Sequence, residues 1–232
     1  MELKNPMVEL GRGTTGKTIR YKLGDLKSIL IGGISGSGKS TLINNVLKQI
    51  EDDAQVFIID LKRVCFLNFK KKCTVITDAA DIPRLLQATC DTIESRYIEM
   101  ERNETDKCTR PRAVLVIDEM ADFMLKVGAK EKNQLHYILS MGRQANVSVI
   151  GATQSPSKRV LGSLIVDQFQ TKIGLRVNNR YASNIIINRG GCENLAQYSA
   201  ILVSPDGYTC EMRLLPPQGE LKVVENLDKI AY

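Results

Sequence analysis

What most limits the fold of this chain is one eight-residue segment, Gly33-Ile34-Ser35-Gly36-Ser37-Gly38-Lys39-Ser40. It matches the pattern G-x-x-x-x-G-K-[ST] at every defined position. A short apolar run, residues 28–32, precedes it, and apolar residues recur at helical spacing over residues 39–50. An ordinary Gly/Ser turn before a helix is the alternative, but the agreement of strand, loop and helix favours a phosphate-binding loop (P-loop).

The residue types in this loop predict ATP and Mg²⁺ as its ligands. Glycines allow the backbone N–H groups and the N-terminus of the following helix to surround phosphates. Lys39 can then reach the β- and γ-phosphate oxygens, and the Ser40 hydroxyl can bind Mg²⁺. The predicted nucleotide-binding residues are Gly33, Ile34, Ser35, Gly36, Ser37, Gly38, Lys39, Ser40 and Thr41.

An acidic pair, Asp118-Glu119, follows the buried apolar run of residues 113–117. At that position Asp118 would hold Mg²⁺ through water, and Glu119 would act as the general base that polarises the attacking water. An acidic pair at the end of a strand also suits a helix N-cap. Because a P-loop is already present, we favour the catalytic interpretation.

A second polar residue, Gln154, follows another apolar run at residues 147–152. Its amide could contact the γ-phosphate or the attacking water and report hydrolysis to the next loop. A solvated loop glutamine is the alternative. We place Gln154 among the candidate catalytic residues with Glu119 and Lys39.

The rest of the chain alternates strands and helices, which predicts an α/β fold with a mainly parallel central sheet flanked by helices. Strands are expected at 28–32, 55–59, 74–76, 113–117 and 147–152, and helices at 39–50, 82–100 and 132–144. After residue 171 we expect a strand to 177, a helix at 181–187 and strands at 201–203 and 208–214, extending the same sheet. Polar loops are predicted at 104–112 and 127–132.

The domain expectation is a β-rich lead-in at 1–27, an ATPase domain at 28–217 and a polar tail at 218–232. With 232 residues and 43% hydrophobic residues, one sizeable core is expected and intrinsic disorder is excluded. The apolar runs are too short to span a membrane and the start resembles no signal peptide, so we expect a cytoplasmic protein. Six widely spaced cysteines and a single histidine, His136, argue against a zinc site.

A set of short segments in a fixed order resembles the FtsK/HerA-type DNA translocases, particularly the FtsK/SpoIIIE branch, from about Val8 to Pro217. Besides the P-loop, the matching segments are Leu10-Gly11, Gly16-Lys17, Ile59-Asp60-Leu61-Lys62, Glu94-Ser95-Arg96-Tyr97, Asp118-Glu119-Met120-Ala121-Asp122, Gly142-Arg143-Gln144-Ala145, Ala152-Thr153-Gln154-Ser155-Pro156-Ser157, and Gly190-Gly191-Cys192-Glu193 with Leu195. The ordered set is far more specific than a P-loop alone.

This resemblance implies a RecA-like P-loop ATPase that assembles into a homo-oligomeric ring, a hexamer, and moves double-stranded DNA. In that family ATP lies between subunits, and Arg143 matches an arginine that reaches into the adjacent site to balance phosphoryl charge. An arginine near a helix C-terminus that complements the helix dipole is the alternative. Arg180 matches a second basic position that links the nucleotide to the DNA-facing side.

Several departures put the grip on DNA in doubt. Ser155 stands where the family has an arginine, Leu61 where it has a proline, and residues 197–200 where it is rich in glycine. Candidate DNA contacts are Ser157, Lys158 and Arg159, although a solvated basic loop is as good an interpretation. The run Lys70-Lys71-Lys72 is interpreted as a solvated face.

We expect a motor without the membrane anchor, linker and winged-helix module of chromosome translocases. We therefore expect a reduced motor of a plasmid, conjugative element or virus, with a recruiting protein from the same genetic element as a further candidate partner. The net charge of +6 is compatible with a polyanionic partner but does not require one. Two other functions stay open: a protein-secretion ATPase of the type VII kind, and a regulatory nucleotide-binding module, which the intact Asp118-Glu119 pair disfavours.

Overall fold

Ten strands form one sheet in the computed structural model, which describes residues 7–50, 54–63, 65–66, 69 and 73–216. The strands are β1 (Met7–Gly13), β2 (Thr18–Lys22), β3 (Ile29–Gly32), β4 (Gln55–Ile59), β5 (Thr74–Ile76), β6 (Ala113–Ile117), β7 (Val147–Thr153), β8 (Thr171–Leu175), β9 (Ser199–Val203) and β10 (Thr209–Leu214). Their order across the sheet is β2-β1-β10-β9-β8-β3-β7-β6-β4-β5.

The sheet has a parallel part and an antiparallel part. The six strands from β8 to β5 pair in parallel, whereas β9, β10, β1 and β2 continue from β8 with antiparallel pairing. Every residue of β3, β6 and β7 is buried, because helices cover the parallel part on both faces and such strands are apolar along their whole length. The predicted α/β fold with a mainly parallel sheet is confirmed.

Eight helices are present in the described ranges. They are α1 (Leu23–Leu26), α2 (Lys39–Lys48), α3 (Ile82–Arg102), α4 (Met120–Lys126), α5 (Ala129–Met141), α6 (Lys158–Leu161), α7 (Ser163–Gln168) and α8 (Arg180–Ile187), with short 3₁₀ helices at Ala79–Asp81 and Cys192–Asn194. Helices α3 to α7 pack on one face of the sheet, against side chains that include Leu115 and Ile117. Helices α1 and α2 pack on the other face, against side chains that include Val114 and Val116.

The prediction of a polar loop at 127–132 and a helix at 132–144 was wrong in its boundaries. Helix α5 begins at Ala129 and ends at Met141. Only two residues separate it from α4, a helix that was not predicted. The Glu131 carboxylate accepts a hydrogen bond from the Gly128 N–H at 3.0 Å and so starts the helix. Its first turn faces solvent and therefore has no apolar periodicity to reveal it.

The first described residues belong to the same sheet as the P-loop. Strand β1 pairs with β10 and β2, and the Asn45 side chain of α2 donates to the carbonyls of Leu215 and Pro216 at 3.1 and 3.2 Å. The division at residues 27 and 217 stays a prediction, and the tail 218–232 and Lys70-Lys71-Lys72 lie outside the described residues. Within the described ranges, no helix has the length and apolar character that crossing a membrane requires.

Candidate nucleotide-binding site

The candidate site lies where four neighbouring parallel strands end. The P-loop follows β3, Asp118 and Glu119 follow β6, Gln154 follows β7, and Asp60 follows β4. Because parallel strands point in one direction, their carboxyl ends meet at one edge of the sheet, which is where ligands bind in open α/β sheets. The structure therefore brings to the P-loop predicted residues that follow it by about 80 to 120 positions in the chain, as parallel pairing allows.

Backbone hydrogen bonds fix the P-loop to its neighbouring strands. The N–H of Gly33 donates to the Thr153 carbonyl at 3.1 Å, and the N–H of Ile34 donates to the Arg176 carbonyl at 2.9 Å. Gly38 adopts φ = +112°, and a Cβ on it would lie 2.8 Å from a methyl group of Leu214. Both the left-handed backbone and the close contact require glycine at this position.

Lys39 begins α2 and turns its side chain into the loop. Its Nζ donates to the carbonyl oxygens of Gly33 at 2.6 Å and Ile34 at 3.0 Å. Burial lowers the pKa of the Lys39 ammonium to about 8, although the nearby Glu119 carboxylate opposes this shift. Among the described residues no carboxylate contacts this ammonium directly, so it is suited to an anionic ligand, because a phosphate would restore the lost stabilisation of its charge.

Asp118, a predicted metal ligand, lies beside a thiol and a second carboxylate. The side-chain ligand atoms of Asp60, Cys65 and Asp118 all lie within 4.8 Å of one another. Burial raises the pKa of Asp118 and that of Cys65. The Asp60 carboxylate accepts the Cys65 N–H at 3.0 Å, within the loop that carries Cys65. Ser40, the other predicted metal ligand, lies in the first turn of α2, and its hydroxyl together with the Asp118 carboxylate offers oxygen donors of the kind that Mg²⁺ prefers.

Glu119 is buried and each oxygen of its carboxylate is engaged. One oxygen accepts from the Thr153 hydroxyl at 2.8 Å, the other pairs with Lys62 Nζ at 3.2 Å, and both lie 3.1 Å from the Gln154 N. These contacts tie the end of β6 to the end of β7. The Gln154 side chain is half-buried at the same edge.

Arg143 does not reach the P-loop of its own chain. It is exposed in the turn that joins α5 to β7, at the amino end of that strand. The P-loop lies at the carboxyl end of the neighbouring parallel strand β3, and the seven-residue strand β7 that separates the two ends spans roughly 20 Å. A site that combines Arg143 with a P-loop needs two copies of the chain.

The remaining predicted residues lie on the same side as the P-loop but do not surround it. Arg180 is exposed at the start of α8, with its Nε 2.9 Å from the position that a Cβ on Gly190 would occupy. Ser157 precedes α6, and Lys158 and Arg159 are exposed in that short helix instead of in the expected loop. Their side chains therefore point into solvent beyond Gln154.

Sequence reasoning missed several side chains at the site. Cys65 and Lys62 had no assigned role, and residues 197–198 were noted only as a departure from a glycine-rich pattern. In the structure the Gln197 amide donates to the Gly36 carbonyl at 3.0 Å, and the Tyr198 N–H donates to the Ser37 carbonyl at 3.3 Å. Tyr198 has φ = +60°, a backbone conformation that glycine adopts more readily than tyrosine, in a stretch where the resembled family is rich in glycine.

The fold and the P-loop together define a P-loop ATPase domain that binds nucleotide. A family described as an AAA domain matches residues 24–161. Because this match extends over more than half of the chain, the protein belongs to the AAA domain family.

Particular relatives narrow the comparison further. The DNA translocase FtsK of Pseudomonas putida is 28% identical over 258 residues, covering 92% of this chain and 31% of the relative. The pCW3 conjugation coupling protein TcpA, solved in a monomer form with ATPγS, has a TM-score of 0.83 at 21% identity, covering 92% of this chain and 66% of that chain. The cytoplasmic domain of the type VII secretion ATPase EccC of Thermomonospora curvata has a TM-score of 0.75 at 15% identity, covering 92% of this chain and 29% of that chain. The expected resemblance to FtsK-type proteins is confirmed, over about a third of the relatives' length.

Proposed function

We propose that this protein is an ATP-driven motor that assembles into a hexameric ring and translocates double-stranded DNA. The observation that carries the proposal is the separation of Arg143 from the P-loop by the full length of strand β7. A nucleotide site that uses both groups is completed only by a neighbouring copy. The DNA cargo is supported by relatives that are named DNA translocases and match nearly the whole chain.

In the proposed mechanism, the P-loop and Lys39 bind the phosphates of ATP. Ser40 and Asp118 would hold Mg²⁺, which when bound neutralises charge on the phosphate oxygens. Glu119 accepts a proton from the attacking water, and the Thr153 hydroxyl and Gln154 N–H orient its carboxylate. Lys62 offsets the charge of the buried carboxylate until substrate enters.

Gln154 provides a route from hydrolysis to movement. Its backbone N–H contacts Glu119, and the residues that follow it lead directly to α6. A change at the γ-phosphate can thus shift Ser157, Lys158 and Arg159, which we assign to DNA phosphates. Arg180 at the start of α8 links the P-loop side to the segment around Gly190 and Glu193.

The test is the rate of ATP hydrolysis with long duplex DNA, with single-stranded DNA and without DNA, in protein shown to be assembled. We expect stimulation by duplex DNA that is independent of sequence and falls steeply with salt, since the contacts are to phosphates. The double substitution Lys158→Gln/Arg159→Gln should weaken DNA affinity and reduce the salt slope by up to about 2, about 1 per lost contact. The matched control, Lys126→Gln/Lys130→Gln, removes the same charge from exposed positions on α4 and α5 and should leave both unchanged.

A type VII-like secretion ATPase is the competing function. It predicts that hydrolysis by the assembled protein is indifferent to duplex DNA at low salt. That result would overturn DNA translocation and leave the shared nucleotide site standing.

A further inference from the structure

One segment singled out in the sequence, residues 94–97 of α3, has no place in the mechanism above. Two of its side chains, Arg96 and Tyr97, cross from α3 to the turn that carries Arg143. That turn occupies residues 142–146, between α5 and β7. The segment therefore contacts the residue that we assign to the neighbouring site.

The turn itself is tightly closed. The Val147 N–H donates to the Gly142 carbonyl at 2.8 Å, and Asn146 adopts φ = +55°. A Cβ on Gly142 would lie 2.5 Å from the Ile138 carbonyl oxygen, so no larger residue fits there. Arg143 and Gln144 are exposed on the outside of this turn.

Arg96 holds the far end of the turn from inside the protein. Its residue is only 6% exposed, and its Nη1 donates to the carbonyl oxygens of Ala145 at 2.7 Å and Asn146 at 3.4 Å. Burial lowers the pKa of this guanidinium. A buried charge is tolerated only when its hydrogen-bond partners are well placed, so the position of the turn is tightly coupled to Arg96.

Tyr97 holds the near end of the turn. Its hydroxyl lies 3.1 Å from the Met141 carbonyl oxygen and 3.1 Å from Gln144 Oε1, with Arg143 between these two residues. Its ring packs against the core cluster beneath α3 and α5. Arg96 and Tyr97 thus hold the backbone after and before Arg143, at Ala145 and Met141.

We propose that Arg96 and Tyr97 are positioning residues that orient Arg143 toward the nucleotide site of a neighbouring copy. This inference rests on the proposed shared site. An arginine that must cross a subunit boundary depends on the backbone that presents it, and small displacements of a catalytic group are costly. Neither residue contacts the nucleotide bound by its own chain, because both lie at the opposite edge of the sheet.

The matched pair of variants is Tyr97→Phe and Tyr137→Phe. Each removes one phenol hydroxyl from the contact between α3 and α5, but the Tyr137 hydroxyl donates to Glu94 Oε2 at 3.0 Å and does not touch the turn. In rings of identical subunits, Tyr97→Phe should lower kcat about fivefold, the effect of one lost hydrogen bond, with ATP affinity unchanged. Tyr137→Phe should leave kcat unchanged.

Mixed rings show on which side the hydroxyl acts. Lys39→Ala subunits can donate only Arg143, whereas Arg143→Ala subunits can donate only a P-loop. Tyr97→Phe placed in the Lys39→Ala subunit should lower the hydrolysis of the mixture about fivefold. The same change placed in the Arg143→Ala subunit should have no effect, although its effect on folding would be identical.

Two outcomes overturn the positioning role and leave the shared site standing: an equal loss in both placements, or no loss in either. A further loss when Tyr97→Phe is added to uniform Arg143→Ala rings also overturns it, because the hydroxyl would then act independently of Arg143. Full activity of Arg143→Ala alone is a different failure, which removes the shared site itself. Arg96→Lys, which retains the charge but loses the fork of donors, should repeat the Tyr97→Phe pattern.

Discussion

The candidate catalytic residues at the two ends of the parallel strands differ in exposure. At the carboxyl edge, Lys39, Asp118 and Glu119 are buried, and Lys39 and Glu119 make hydrogen bonds within the site. At the amino edge, Arg143 is exposed, and Arg96 and Tyr97 hold the residues on either side of it. On the proposed mechanism, the carboxyl edge is a preorganised half of a site and Arg143 is directed toward another copy of the chain.

On the proposed mechanism, this difference means that one chain contains every catalytic residue and still lacks a complete site. Preorganisation at the carboxyl edge holds the Glu119 carboxylate and the phosphate-binding groups in place. We therefore expect assembly to control hydrolysis, because a neighbouring copy would supply the arginine. Four experiments test or sharpen this contrast, from the largest expected effect to the smallest.

Substitutions at the carboxyl edge should affect ATP binding and ATP hydrolysis separately. Lys39→Ala should abolish tight ATP binding, whereas Glu119→Gln should retain ATP and lose turnover by up to about 10⁴-fold, since only water activation is removed. Equilibrium ATP binding and steady-state hydrolysis measure the two effects, and Glu101→Gln, an exposed glutamate on α3, is the control. Near-normal turnover by Glu119→Gln would place the base elsewhere.

A substitution at the amino edge should affect only ATP hydrolysis at the site of a neighbouring subunit. Arg143→Ala should bind ATP normally and lose about 10³-fold in turnover, the range for an arginine that acts in trans. Hydrolysis should partly return when these subunits are mixed with Lys39→Ala subunits, and wild-type specific activity should rise with protein concentration. Arg84→Ala, on an exposed turn of α3, controls for loss of charge. Concentration-independent turnover by a proven monomer would contradict the contrast.

The packing beneath the P-loop should be intolerant of one methyl group. A Cβ on Gly32, the last residue of β3, would lie 2.0 Å from Ile186 Cδ1. Gly32→Ala should therefore destabilise the fold by about 1–3 kcal/mol in denaturant unfolding. In an Ile186→Ala background, which has its own cost, the additional loss caused by Gly32→Ala should be smaller. Gly13→Ala, whose nearest contact would be 3.3 Å from Ile19 Cδ1, should cost less.

The charge of Lys39 should make ATP binding pH-dependent. In the protein without nucleotide the Lys39 ammonium has a pKa of about 8, and a bound phosphate raises that pKa. The attraction between the ammonium and the phosphate is therefore fully present below pH 8 and is lost as the pH rises above it. ATP affinity should fall above pH 8 by at most about tenfold per pH unit, with uptake of a proton measurable by calorimetry in two buffers. Lys39→Arg, always charged, should remove this slope. A flat profile in the wild type would contradict the burial of a titrating lysine.

Local sequence patterns predicted most elements of the parallel part. The predicted strands at 55–59, 74–76 and 113–117 coincide with β4, β5 and β6, because each is a short apolar run, and β6 is buried along its whole length. Helix α4 was missed because seven residues between an acidic pair and a polar turn show too little periodicity. The predicted roles of Lys39, Ser40, Asp118 and Glu119 remain predictions, although the structure brings these residues together.

The sequence by itself determined the phosphate-binding loop, the acidic pair and the strand and helix that carry them, because these depend on neighbours within a few residues. Only the tertiary structure decided that Cys65 lies beside Asp60 and Asp118 and that Gln197 and Tyr198 bond to the P-loop backbone. Such contacts depend on which strands pair and in which direction, and no local pattern contains that information. For the same reason, the direction of β7 alone separates Arg143 from its own P-loop.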